Sequence, residues 1–181
     1  MKHVIQLTPK VKVSAKGLFY SDLGWLGKVL DYIKCWGWDD LEGEITIEMK
    51  KTAASEVVKG KFYEGCIKMG GRIVVFRHSK SGKKHPTWDT LVHEFRHAWQ
   101  YMSNFESPFI SKDFNYHSLH LQSDFHSRKH VKYLLRPIEI DAHVEGIMFA
   151  KLHNLYLNKD DKQNVLKLYK MALGEEYPLP F

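Results

Sequence analysis

The sequence has few cysteines and no long hydrophobic run. Cys35 and Cys66 are its two cysteines and lie far apart, which excludes a disulfide framework and favours a reducing compartment. No apolar run approaches the roughly 20 residues that span a bilayer. The N-terminal residues also lack the hydrophobic region of a signal peptide. These absences predict a cytoplasmic protein without a membrane partner.

Acidic residues are fewer than basic ones, with 21 Asp and Glu against 27 Lys and Arg, and the net charge is +6. This excess permits an acidic partner such as nucleic acid but does not require one. The chain has 181 residues, without internal repeats or low-complexity segments. That length predicts one domain, residues 1–181, with a sizeable core.

The most informative motif is His-Glu-Phe-Arg-His at residues 93–97, an HExxH sequence. In a helix, positions i and i+4 lie one turn apart on the same face, so His93 and His97 can bind one metal ion together. Glu94 would then lie beside the metal, where it can take a proton from a bound water. The motif therefore predicts a metal-dependent hydrolase, provided that the segment is helical.

The residues around the motif favour a helix. Pro86, Thr87 and Asp89 are typical of a helix start, and the helix should end before Ser107. Four apolar residues recur at helical spacing and predict a core-facing stripe: Leu91, Phe95, Ala98 and Met102. A neighbouring face, which can open toward a cleft, carries His93, His97 and Gln100.

Catalytic zinc usually has three protein ligands, so a third must come from elsewhere in the chain. A second helix is predicted from Pro137 to about residue 158, with Glu139 in its first turn. Small residues on the same face would let this helix approach the motif helix: Ala142, Gly146 and Ala150. Glu139 can then reach the metal, although a first-turn glutamate can also simply complement the helix dipole. His143, one turn later, is the competing ligand.

The two segments together resemble the gluzincin metallopeptidases, whose HExxH motif is followed by a glutamate in the form E-x-[DE]-A. The small size is most similar to minimal gluzincins, including the metallopeptidases of mobile elements that cleave repressors. Six residues match the pattern: His93, Glu94, His97, Glu139, Asp141 and Ala142. The resemblance implies that His93, His97 and Glu139 bind Zn²⁺ and that Glu94 is the general base. It covers about a quarter of the chain.

The expected fold is α+β, a single zincin-like domain with an N-terminal helix, a small sheet, the HExxH helix and the glutamate helix. The sheet is predicted to be mainly antiparallel, with about three strands. The sequence predicts strands at 44–50, 61–67 and 71–78, with a tight turn at 69–71. It also permits one further short strand in 2–13. The first helix is predicted at 21–36 and the last at 162–172.

Residues 104–136 form a long segment between the two site helices and are rich in histidine. Segments of this length are often functional lids, so an insertion that covers the substrate is predicted. A basic surface with interleaved aromatic residues for nucleic acid is the alternative, and a solvated loop is the simplest interpretation. The histidines have no firm ligand spacing, which disfavours a second metal site.

The predicted function is a zinc metallopeptidase that hydrolyses a protein or peptide substrate through a metal-activated water. Asp141 is expected to orient a ligand histidine through its ring N–H. An extended peptide is expected to add to the sheet beside residues 72–76. The candidates for oxyanion support, among which the sequence does not choose, are His143, His120, His126 and Tyr133.

Two other functional classes are consistent with the motif. A DNA-associated SprT-like metalloprotease would take its third ligand from a histidine after HExxH, here His117 or His120. A non-catalytic metal-binding protein would have a fourth protein ligand and no open coordination position.

Overall fold

The computed structural model describes residues 2–51, 60–63, 71–77, 88–103 and 137–155. Within these ranges the fold is mixed α/β. The strands are β1 (Lys2–Gln6), β2 (Val11–Lys16), β3 (Gly43–Lys51), β4 (Gly60–Tyr63) and β5 (Arg72–Arg77). The helices are α1 (Leu23–Ile33), α2 (Trp88–Ser103) and α3 (Pro137–Leu152), and short 3₁₀ turns flank α1 at Tyr20–Asp22 and Lys34–Trp36.

The described strands form one sheet in the order β1-β2-β3-β5-β4. The β1–β2 and β4–β5 pairs are antiparallel, whereas β2–β3 and β3–β5 are parallel. The alternation predicted for β3 is confirmed, because Ile45, Ile47 and Met49 are all buried in the core. The antiparallel pairing of β4 with β5 is also confirmed, although residues 69 and 70 of the expected turn lie outside the described ranges.

The sheet differs from the expected three mainly antiparallel strands, and part of the difference arises at the N-terminus. Residues 2–16 form two strands, whose turn is held by the Leu7 N–H donating to the Val11 carbonyl at 3.0 Å. The hydroxyl of Thr8 accepts from the Val11 N–H at 3.1 Å. The chain then passes through α1 before β3, and such a crossover is what a parallel neighbour requires. Side-chain alternation predicts strands but carries no information on their partners.

The strand β5 is internal. It lies between β3 and β4, so its backbone pairs on both sides. The expectation that a peptide adds beside residues 72–76 is therefore wrong. Among the described strands, the two edges of the sheet are β1 and β4.

The first helix forms close to its predicted position. Asp22 directly precedes α1, and its carboxylate accepts a hydrogen bond from the Phe19 N–H at 2.6 Å. Gly37, with φ of 77°, follows the second 3₁₀ turn and ends the helical segment. The residues that α1 buries recur at helical spacing: Leu26, Val29, Leu30 and Ile33.

Helices α2 and α3 pack closely, as the small residues on α3 predict. Leu91, Phe95 and Ala98 of α2 are fully buried, and so are Ala142 and Ala150 of α3. The two helices approach closely at Gly146, because a Cβ at that position would lie 2.9 Å from the carbonyl oxygen of Asp89. The same Cβ would lie 3.7 Å from the Cβ of His93. The contact between the helices therefore adjoins the HExxH motif.

We expect Gly146→Ala to lower the free energy of unfolding by about 1–3 kcal/mol, because the added methyl must displace backbone on α2. Gly27→Ala on α1 is the matched control, since a Cβ there would have no described atom within 4 Å apart from its own stretch of helix. That control should instead stabilise by about 0.5–1 kcal/mol through helix propensity. Denaturant unfolding in the presence of a chelator measures both variants. Equal effects at the two glycines would contradict the close packing.

Helix α3 ends at Leu152, six residues before the predicted end near residue 158. Asn154 adopts a left-handed conformation with φ of 52°. The N–H of Leu155 donates to the Ala150 carbonyl at 2.8 Å, and the Asn154 N–H donates to Lys151 at 3.2 Å. These two bonds form a Schellman motif, and asparagine tolerates the left-handed position that it requires.

Some predicted features lie outside the described residues: the helix start at 86–87, the segment 104–136 and the last helix at 162–172. Within the described ranges, no helix combines the length and hydrophobicity needed to cross a bilayer.

Candidate metal centre

Helix α2 presents the two motif histidines on one face. The Nε2 atoms of His93 and His97 lie 3.1 Å apart, and the two rings meet edge to face. This arrangement follows from the i, i+4 spacing, which places both side chains on successive turns. The prediction that the HExxH residues are helical is confirmed.

Helix α3 adds a carboxylate to this pair. The Oε2 atom of Glu139 lies 3.5 Å from the Nε2 of His93 and 3.5 Å from that of His97. The three ligand atoms lie within 4.8 Å of one another and could hold a metal ion. The structure therefore brings together the three ligands predicted from the sequence.

The competing ligand, His143, is placed differently. Its ring packs against the ring of His93, with 4.4 Å between the centroids and a tilt of 51°. Among the described residues, the group whose ligand atoms converge contains Glu139 and not His143. His143 thus borders the site from α3, one turn beyond Glu139.

In the absence of metal, the buried side chains of His97 and Glu139 carry opposite charges. Burial lowers the pKa of His97, but Glu139, Glu94 and Gln100 together raise it by more, and the resulting pKa is about 9. Burial likewise raises the pKa of Glu139, whereas His97 and His93 lower it well below its ordinary value of 4.5. At neutral pH, His97 and Glu139 therefore form an ion pair. A metal that binds here replaces the proton on His97.

This ion pair gives the metal-free protein a defined pH dependence. The contribution of His97 to stability is complete below its unfolded pKa of 6.5 and is lost as pH rises through about 9. The contribution of Glu139 is complete above 4.5 and is lost as pH falls through its lowered pKa.

Metal affinity should increase as pH rises, because a ligand histidine must be neutral. With Zn²⁺ as the probe ion, we expect affinity to rise about tenfold per pH unit between pH 7 and 8.5, one proton being released per ion. Calorimetry in buffers of different ionisation enthalpy counts that proton. An affinity independent of pH over this range would contradict the protonated state of His97.

Glu94 lies beside the ligands and is buried, with 6% of its surface exposed. The negative charge of its carboxylate is one of the causes that raise the pKa of His97. The position directly after His93 on α2 therefore places a buried acid next to the candidate metal position, as the motif predicts.

A further polar layer connects His97 to α3. The Oε1 atom of Gln100 lies 2.9 Å from the Nδ1 of His97. The Gln100 amide nitrogen donates to the Ile138 carbonyl at 3.1 Å and to Oδ2 of Asp141 at 2.7 Å. Asp141 was expected to orient a ligand histidine directly, but Gln100 is interposed between the two. Both oxygens of Asp141 already accept hydrogen bonds, from Gln100 and from an arginine.

That arginine is Arg96, inside the HExxH motif, for which the sequence pattern predicts no role. Its Nε and Nη2 atoms donate to the two carboxylate oxygens of Asp141 at 2.6 and 3.0 Å. Its guanidinium carbon lies 4.3 Å from the ring centroid of Trp99 and 5.0 Å from that of Trp36. Only 8% of its surface is exposed. An arginine on the buried side of an amphipathic helix was the signal that could have revealed this ion pair.

A second carboxylate on α3 extends the polar layer to α1. Glu145 Oε1 lies 4.0 Å from Nη1 of Arg96, and the hydroxyl of Tyr32 donates to Glu145 Oε2 at 2.8 Å. Burial raises the pKa of the Tyr32 hydroxyl, and the Glu145 charge raises it further. Each of the three helices in the described ranges therefore contributes to the polar layer behind the candidate ligands.

Several sequence-predicted residues lie outside the described ranges. They are the oxyanion candidates His120, His126 and Tyr133 and the alternative ligand His117. The oxyanion role and the lid at 104–136 stay predictions.

Membership of the gluzincins also stays a prediction, carried by the motif residues and the position of Glu139. Comparison of the chain with protein-family models, with curated proteins and with solved structures found no match.

Proposed function

We propose that this protein is a zinc-dependent metallopeptidase that hydrolyses peptide bonds of a protein substrate. The observation that carries the proposal is the convergence of His93, His97 and Glu139, with Glu94 buried beside them. In zinc peptidases of the gluzincin type, which the motif resembles, these positions are the three ligands and the general base.

The donor atoms favour zinc over the other common divalent ions. Two imidazole nitrogens and one carboxylate oxygen form a mixed N and O set, whereas Mg²⁺ and Ca²⁺ prefer oxygen ligands throughout. Three protein ligands are also the usual number at a catalytic zinc site. When bound, zinc would acidify a water molecule and polarise the substrate carbonyl.

Glu94 would act as the proton carrier. Its carboxylate would accept a proton from the attacking water and deliver it to the amine that leaves when the peptide C–N bond breaks. Its burial keeps bulk water from competing for that proton. His143, which packs on His93 and is half-buried, is the described candidate for support of the developing oxyanion.

The peptide substrate would pair with β4. This strand is a sheet edge among the described residues, and its backbone adjoins α2, which carries the two histidines. An extended peptide that adds to such an edge gains main-chain hydrogen bonds whatever its sequence. The proposed position replaces the one beside β5, which is enclosed by two strands.

The position of Glu139 favours the gluzincin arrangement over the alternatives. A SprT-like site would take its third ligand from a histidine after the motif, but here a carboxylate from α3 is 3.5 Å from both imidazoles. A purely structural site would present a fourth ligand, and the converging group of the described residues has three members.

Metal removal tests the proposal. The purified protein should contain about one zinc per chain and should cleave a mixture of unstructured peptides, with products identified by mass spectrometry. Chelation should abolish cleavage, and added Zn²⁺ should restore it. Glu139→Ala should weaken zinc binding strongly, while His143→Ala should weaken it less. Cleavage that persists without metal, or a site that rejects zinc, would contradict the proposal.

A further inference from the structure

Gln100 is the one described side chain that hydrogen-bonds a ring nitrogen of His97 on the side away from Glu139. It is fully buried on α2. Because Gln100 follows His97 by three residues, the helix itself holds its amide against the Nδ1 atom. No part of the proposed hydrolysis uses this residue.

The orientation of the Gln100 amide is set by its other partners. Its nitrogen faces the Ile138 carbonyl at 3.1 Å and Oδ2 of Asp141 at 2.7 Å. Both partners are acceptors, so the NH₂ group must face them, and the amide oxygen must face His97. Arg96 donates to both oxygens of Asp141 and so keeps that carboxylate an acceptor.

An amide oxygen can only accept a hydrogen bond, so the Nδ1 of His97 must carry the proton. In the neutral imidazole, Nε2 then has a free lone pair, and Nε2 is the atom 3.5 Å from Glu139. His93 differs, because its buried Nδ1 has no hydrogen-bond partner among the described residues. The two histidines are therefore supported unequally.

We propose that Gln100 is a positioning residue of the metal centre, which fixes the neutral His97 as the Nδ1–H tautomer and aims its Nε2 lone pair at the metal. The proposal rests on the metal-binding part of the proposed function and not on hydrolysis. In this arrangement Gln100 accepts a hydrogen bond from His97 and donates one to the Asp141 carboxylate, which Arg96 holds in place.

A glutamate could not replace this glutamine. A carboxylate at position 100 would face Oδ2 of Asp141 and the Ile138 carbonyl with no hydrogen to donate, which places two like charges together in a buried site. Most ligand histidines that are oriented by a side chain use a carboxylate. Here the amide is required, because one side chain must accept on one side and donate on the other.

Gln100→Met tests this positioning role, since methionine has a similar length but forms no comparable hydrogen bonds. We expect its Zn²⁺ dissociation constant, measured by competition with a chromophoric chelator, to rise about 10–100-fold. Gln100→Glu should be at least as weak. The matched control is Gln6→Met on the exposed strand β1, for which we expect a change within about twofold. An unchanged constant in Gln100→Met would overturn the proposal.

A second measurement needs no variant. In the zinc-loaded native protein with ¹⁵N-labelled histidine, the His97 ring proton should be found on Nδ1, protected from exchange and close to the Gln100 side chain. A proton on Nε2, or exchange as fast as in an exposed histidine, would overturn the proposal even if the Gln100 variants failed to fold. Both measurements are independent of activity, so a protein that binds zinc in this way but cleaves no peptide would contradict only the proposed hydrolysis.

Discussion

Replacing Glu94 with glutamine should leave zinc bound and reduce peptide hydrolysis by about 10²–10⁴-fold. The amide has nearly the same volume as the carboxylate, so the buried space beside the ligands stays filled. It cannot accept a proton from water at neutral pH, and the proton transfer that the mechanism needs is lost. His93, His97 and Glu139 are unchanged in this variant, which separates metal binding from catalysis.

The measurement combines zinc content with the rate of peptide cleavage at saturating metal. Glu42→Gln is the matched control, because it makes the same chemical change on an exposed residue between α1 and β3. Control activity should equal that of the native protein. Full activity in Glu94→Gln would remove this residue from the mechanism, and loss of zinc would assign it a structural role.

Replacing Arg96 with leucine should lower the free energy of unfolding by about 3–5 kcal/mol. The arginine pairs with both oxygens of Asp141, and both residues are more than nine-tenths buried. Removing the cation leaves the Asp141 carboxylate in a low-dielectric environment without its counter-charge. The loss of stacking on Trp99 and Trp36 adds to the effect.

Denaturant unfolding in the presence of a chelator measures this effect without a contribution from metal. Lys34→Leu is the control, since it breaks an ion pair with Asp31 that is largely exposed and is expected to contribute less than about 1 kcal/mol. The double variant Arg96→Leu with Asp141→Leu should lose less stability than the two single variants together, because it leaves no buried charge unpaired. Equal effects for Arg96→Leu and Lys34→Leu would contradict the buried pair.

Local patterns in the sequence predicted much of the site. The i, i+4 spacing of His93 and His97 places them together on any α-helix, whatever the rest of the fold. Glu139 was predicted because a proline marks the helix start and small residues mark its contact face. Gly146 then proves to be a point where α3 closely approaches α2. Each of these signals depends on the geometry of a single helix, and the spacing of residues along the sequence predicts such local geometry well.

Contacts between elements were not predictable in the same way. The parallel pairing of β3 with β2 and β5 depends on how the connecting segments pass over the sheet, and side-chain alternation does not record this. The pairing of Arg96 with Asp141 joins α2 to α3, and the position of Arg96 on the buried side of α2 indicates a partner without identifying which residue of another helix it is. Gln100 was placed on the cleft side of α2, but its role depends on Ile138 and Asp141 across the helix contact.

The three candidate ligands come from two helices, and this has a consequence for the folded chain as a whole. A metal bound by His97 and Glu139 would be a reversible cross-link that closes a loop of about 40 residues. A covalent link of that span would stabilise the folded state by roughly 4 kcal/mol, because it lowers the entropy of the unfolded chain. Each tenfold rise in free metal above the dissociation constant would add about 1.4 kcal/mol, provided that the unfolded chain does not bind it. The melting temperature of this protein would therefore report the free-zinc concentration around it, and zinc-starved chains would be the first to open between α2 and α3.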